Sequence, residues 1–290
     1  MRVLAAAWFT ALLTTTANPA NAIAIAANAR SMQPGELVVL TMTLPEPADN
    51  VRLHAFNREI PVYKVDEVTW RGLVGIDLGV RPGTYPAAVE AISGPRRLQT
   101  TYSLKVLPKR FPVRALTVDP ALVNPPREME ERIVREAAEL QQLWLHSSAD
   151  RLWSGPFVPP VPSTVASHFG ARSSFNGQAR SPHSGADFPS PTGAPIAAPN
   201  AGRVVLARDL YFSGNTVILD HGLGLFSLLA HLSVIAVHEG DSVATGQEIG
   251  KVGATGRVTG PHLHWGVRVG GARVDPLGVL TVLGRETPLH

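Results

Sequence analysis

Gly260-Pro261-His262-Leu263-His264-Trp265-Gly266 is the stretch from which the fold and the chemistry of this chain are read. Val267 and Val269 alternate after it, as on a strand, and alternate strand residues point to the same face, so both imidazoles share one side. Two histidines on one face suggest a metal. Upstream, His183-Ser184-Gly185-Ala186-Asp187 adds an imidazole and a carboxylate four positions apart, and Ala230-His231-Leu232 places a further histidine after an apolar run. Together they offer nitrogen and oxygen ligands for one zinc ion.

The 290 residues suggest about two domains, and a 44% hydrophobic content is ample for packed cores. Met1-Arg2, an apolar run over 3–13 and the ending Ala20-Asn21-Ala22 have the charged, apolar and A-x-A parts of a secretory signal, with cleavage expected after Ala22. The rival, an uncleaved anchor, needs ~20 apolar residues to span a bilayer, and this run is shorter. No stable membrane span is therefore expected after cleavage. There is no cysteine, so an exported chain must rest on core burial and bound metal, which suits a periplasmic or secreted protein of a bacterial envelope. The formal charge of +3 falls to +2 once Arg2 leaves with the signal, too little to argue for nucleic acid.

From 23 to 108 the text is strand-like. Short β-prone runs at 38–42, 51–56, 73–78 and 102–106 are separated by turn signals such as Gln33-Pro34-Gly35, Arg81-Pro82-Gly83-Thr84 and Ser93-Gly94-Pro95. This spacing predicts a small β-sandwich of immunoglobulin-like type without a reaction centre, His54 and Tyr85 serving as surface and packing residues. A connector spans 109–162. After Asn124-Pro125-Pro126, the residues Met129, Ile133, Ala137, Leu140 and Trp144 recur at spacings of three and four, predicting an amphipathic helix to about Leu145. Its stripe could receive a partner or pack on its own domain. A stiff proline-rich approach over 155–162 follows.

From 163 to 283 the chain is again glycine-rich and β-like, with strands expected at 202–207, 215–220, 225–229 and 262–269. No G-x-S-x-G elbow and no cysteine is present, leaving metal-activated water as the route to hydrolysis. Each histidine motif alone is weak, but here all three occur in order. Around them stand Ser167-His168-Phe169-Gly170-Ala171-Arg172, Ala198-Pro199-Asn200-Ala201-Gly202, Gly240-Asp241-Ser242-Val243 with Gly246-Gln247-Glu248-Ile249-Gly250, and Gly253-Ala254-Thr255-Gly256. Over roughly 164–283 the chain resembles the lysostaphin/LytM-type zinc endopeptidases that cut peptide bonds in peptidoglycan. The N-terminal β-domain and helix are similar to those of some Gram-negative members.

That resemblance implies a compact antiparallel β-sheet domain, duplicated hybrid motif or barrel-sandwich-like, with zinc in a loop-walled groove. It implies His183, Asp187 and His264 as the zinc ligands, His231 and His262 as the catalytic histidines, and Arg172 near the groove. Arg172 could bind a substrate carboxylate or pair with a structural acid. His221 is expected to be structural, His146, His168, His238 and His290 have no assigned role, and Asp275-Pro276 is expected to end a strand. Three function classes remain in play. One is an active zinc endopeptidase acting on peptidoglycan stem-peptide crosslinks. Another is a non-catalytic relative that activates a wall hydrolase, against which the intact ligand set argues. The third is a barrel-like carrier or adaptor, suggested by the turn pattern near Gly240, although Lys251 lacks the Met-Lys context that carriers need.

Overall fold

A computed structural model describes residues 22–116, 126–175, 178–179 and 181–284. The expected leader at 1–21 and the Asn124-Pro125 helix approach lie outside the described residues. The N-terminal body contains β1 (Ala24–Ala29), β2 (Leu37–Thr43), β3 (Asn50–Ala55), β4 (Arg58–Ile60), β5 (Val62–Lys64), β6 (Thr69–Gly75), β7 (Gly83–Ser93) and β8 (Arg96–Val106). They form two four-stranded antiparallel sheets, ordered β1-β2-β6-β5 and β4-β3-β7-β8. Strict alternation on β3 sends Val51, Leu53 and Ala55 inward, where they meet Val38, Leu40 and Met42 from the other sheet in one core. Four strands were not anticipated, the short β4 and β5, β1 (AIAANA) and the long β7; in the last two, alanine-rich text has low β-propensity and gains its place by packing on neighbours.

The strand β9 (Val113–Leu116) follows, then the helix α1 (Glu130–Leu143) after a short turn of 3-10 helix. Leu140, Leu143 and Trp144 pack on Leu206, Leu210, Ile218 and Phe226, and the Trp144 ring stands edge-on to Phe226 at 5.3 Å. Polar ties hold the same face: the Tyr211 amide donates to Glu136 at 2.8 Å, and Arg132 pairs with Asp209 at 2.7 Å. The helix is thus fixed to the C-terminal body.

That body comprises β10 (Arg172–Phe175), β11 (Gln178–Ala179), β12 (Gly185–Pro189), β13 (Pro195–Ala197), β14 (Gly202–Leu210), β15 (Gly214–Gly222), β16 (Leu225–Ile235), β17 (Ser242–Val243), β18 (Glu248–Val252), β19 (His262–Val269), β20 (Ala272–Val274) and α2 (Pro276–Val282). β9 joins β10 in parallel, and β12 to β20 build an antiparallel sheet whose path runs β12-β19-β16-β15-β14-β17. Asp275 does not simply end a strand: its carboxylate caps α2 by accepting from the Leu277 amide at 3.0 Å, with Pro276 in the first turn. Among the described residues no helix is long and apolar enough to cross a membrane.

One apolar core joins the two bodies. Leu37, Val39 and Leu73 of the first sheet lie in the same cluster as Leu229, Leu263 and Trp265 of the second body. Trp153, Phe157 and Val161, which precede Ser163, are buried in that cluster too. Across its edge Arg30 bridges Glu36 at 2.7 Å and Asp275 at 2.6 Å, and Arg273 makes a two-pronged pair with Asp77 at 2.7 and 3.0 Å.

Candidate metal centre

Strand pairing assembles the site. On β19, Leu263 and Trp265 are fully buried in the core while His262 and His264 face the other way. β12 runs antiparallel beside it in a register that sets Asp187 opposite His264, and β16 sets Ala230 opposite His264 on the other flank. A regular β16 would then aim His231 to the far side of the sheet. Instead His231 has φ of 68°, at the point where β16 leaves β19 and begins to pair with β18. This left-handed kink turns the imidazole back, bringing its ring centroid to 4.9 Å from His262 and 5.9 Å from His264. Gly185 explains the close approach on the other flank. A β-carbon there would lie 2.4 Å from the Trp265 carbonyl oxygen and 2.7 Å from the His264 imidazole, so only glycine fits.

Three atoms converge: His183 Nε2 lies 3.0 Å from Asp187 Oδ1 and 3.0 Å from His264 Nδ1, and His264 Nδ1 lies 2.9 Å from Asp187 Oδ1. His262 Nε2 is farther from that carboxylate oxygen, at 3.7 Å. Backbone carbonyls, which can only accept, fix the tautomers. His183 Nδ1 donates to His168 at 3.2 Å, His231 Nδ1 to Thr255 at 3.0 Å, and His262 Nδ1 to Gly260 at 2.9 Å, so each neutral ring keeps an unprotonated Nε2. His183 Nε2 and Asp187 Oδ1 are therefore two lone-pair atoms in contact, which a bound cation would reconcile. Burial would raise the Asp187 carboxyl, but His183 and His264, which donate to it and carry positive charge when protonated, outweigh burial and hold the group well below the usual carboxylate range. Burial, reinforced by His264 and His262, pushes the His231 imidazole down to about 4, and burial likewise lowers His264. Two nitrogens and one carboxylate oxygen, all within 4.8 Å of one another, suit zinc and leave room for a further ligand.

The centre opens into a cleft of about 820 Å³. One wall is α1, through Ala137, Leu140, Gln141 and Trp144, and the facing loops contribute Phe212 and Arg257. The floor is the outward face of β19, where Gly266 and Arg268 continue the row of His262 and His264. Arg172 is exposed on β10 beside the cleft-lining Ala171, and its amide donates to the Pro112 carbonyl at 2.8 Å. His221 is fully buried between the Ala201 carbonyl, 2.8 Å from Nδ1, and Ser227 Oγ, 2.9 Å from Nε2. The sequence reading missed the carbonyls that orient the imidazoles, because a carbonyl has no residue signature, and missed α1 as a cleft wall.

A shallow row of imidazoles and a carboxylate on an antiparallel sheet, opening to a groove, defines a metal centre of hydrolase type. Residues 181–276 match Peptidase family M23. A crystal structure from Pseudomonas aeruginosa assigned to peptidase M23 superposes with a TM-score of 0.65 at 33% identity, covering 87% of this chain and 96% of that one. The chain belongs to peptidase family M23. It is 43% identical over 107 residues to the peptidoglycan DD-endopeptidase ShyA of Vibrio cholerae, spanning 37% of this chain and 25% of ShyA. To the DD-carboxypeptidase/endopeptidase Mpg of Neisseria meningitidis it is 41% identical over 97 residues, 33% of this chain and 22% of Mpg. The chain thus matches about a quarter of the length of these curated relatives.

Proposed function

We propose that this protein is an exported zinc metalloendopeptidase, acting in the periplasm or outside the cell, that hydrolyses stem-peptide crosslinks of peptidoglycan. The observation that carries it is the convergence of His183 Nε2, Asp187 Oδ1 and His264 Nδ1 at 2.9 to 3.0 Å beside two further imidazoles. In this reading those three residues hold one zinc ion. When bound, zinc supplies Lewis acidity, polarising a carbonyl and making water a usable nucleophile near neutral pH. His231 and His262 carry protons: each keeps an unprotonated Nε2, fixed by its carbonyl partner, that takes a proton from water or, once protonated, donates to oxygen on which charge develops. The buried Leu263 and Trp265 behind them keep the row rigid.

The N-terminal strand orders match, strand for strand, the two-sheet arrangement of immunoglobulin-like sandwiches, A-B-E-D and C′-C-F-G, and we assign that type to it as a positioning module. Digestion of purified sacculi by the zinc-loaded mature chain tests the function. Release of uncrosslinked muropeptides, abolished by a chelator and restored by zinc, is expected. Zinc-loaded protein that leaves all crosslinks intact would favour the non-catalytic activator instead.

A further inference from the structure

Arg268 is the fourth outward residue of the row His262, His264, Gly266, Arg268 on β19 and lines the same cleft. Its position is unusual for a cation. The side chain is half-buried, yet among the described residues no carboxylate pairs with it: one nitrogen donates to the Gly271 carbonyl at 3.1 Å, and the guanidinium lies 5.3 Å from the Trp144 ring centroid. The neighbouring acid, Asp77, is already committed to Arg273 at 2.7 Å. Burial, then the nearby charges of Arg273 and Arg58, pull the guanidinium down to about 10, so an anion arriving here would relieve an existing strain of charge. The Trp144 ring lies beside the planar fork, whose remaining N–H groups suit a carboxylate in bidentate fashion. Between the metal centre and Arg268 the floor is Gly266, which has no side chain to fill the groove. An extended peptide can therefore lie along this channel.

We infer that Arg268, beside Trp144, forms a carboxylate-binding subsite that selects acidic peptides by a free carboxylate lying within a few residues of the scissile bond. The four-residue step from His264 to Arg268 is ~13 Å at ~3.3 Å per residue, which sets that reach. The inference rests on the peptidoglycan reading, whose stem peptides carry free carboxylates along their length, but its test does not depend on cleavage. The probe is the stem tetrapeptide L-Ala-γ-D-Glu-meso-diaminopimelate-D-Ala, beside the same peptide with its side carboxyls converted to carboxamides. Binding of each is measured by calorimetry to the zinc-loaded full mature chain and to Arg268→Gln and Arg268→Lys.

The wild type is expected to bind the acid form about tenfold or more tightly than the amide, as befits a hydrogen-bonded charge pair. Arg268→Gln should bring the ratio close to one, and Arg268→Lys should keep part of it. Melting temperature and zinc content, measured on the same preparations, separate this from loss of packing, because a merely structural arginine would not discriminate acid from amide. A ratio near one in the wild type, a ratio unchanged in Arg268→Gln, or no binding of either peptide overturns the inference, whatever the sacculus digestion shows.

Discussion

His262 and His264 sit two positions apart on one strand face, yet their nitrogens differ in what they touch. His264 Nδ1 is 2.9 Å from Asp187 Oδ1 and 3.0 Å from His183 Nε2, whereas His262 Nε2 stands 3.7 Å from the carboxylate. His264→Ala should therefore lose most bound zinc and melt lower. His262→Ala should keep near-stoichiometric zinc and lose on the order of 10² to 10⁴ in turnover. Elemental analysis beside muropeptide turnover decides, and zinc loss confined to His262→Ala would reverse the two roles. His221 offers a cleaner pH effect, its ring being bonded to the Ala201 carbonyl and Ser227 Oγ and outside the His183, Asp187 and His264 cluster. Burial lowers it to about 4, so between pH ~6.5 and ~4 the unfolded chain binds a proton that the folded chain refuses. The stability it protects is complete above pH ~6.5 and lost as pH falls toward 4, up to about 3 kcal/mol. His221→Gln should flatten the fall of melting temperature over that interval, and an unchanged slope would refute the assignment.

The β19 strand was legible to its ends because its alternation is strict and its H-x-H pair has only one sensible face. The pairing that supplies Asp187 from β12 was not, since register between distant strands leaves no local mark. Nor was the kink at His231, where a non-glycine residue holds φ of 68° and sequence offers no sign of it. Of the expected stripe on α1, Leu140 and Trp144 pack on the C-terminal body together with Leu143, while Ala137 is exposed, and what the stripe meets was not legible, because periodicity gives a face and no address. That address matters for function: α1 is a wall of the cleft through Leu140 and Trp144. Replacing both with alanine should loosen the wall and raise KM for muropeptides several-fold while zinc content stays unchanged. An unaltered KM would remove α1 from the substrate path.

The connector was expected to separate two domains, and the packing bears on where an independent catalytic unit can begin. Trp153, Phe157 and Val161 are 1%, 4% and 2% exposed in the core that also holds Trp265 and Leu229. Each such side chain contributes roughly 1.5 to 3 kcal/mol of burial, so losing all three removes an amount comparable with the 5 to 15 kcal/mol that holds a whole domain folded. A chain starting at Ser163 should fail to fold or to retain zinc at growth temperature. One starting at Pro126 keeps these residues and α1, and should bind zinc. It should nevertheless melt below the full chain, because Leu37, Val39 and Leu73 no longer cover their shared core and the Arg30–Asp275 and Asp77–Arg273 pairs are gone. For the same reason the intact protein should unfold in one calorimetric transition. Two resolved transitions, with the upper one matching the Pro126 fragment, would show that the shared core does not couple the bodies.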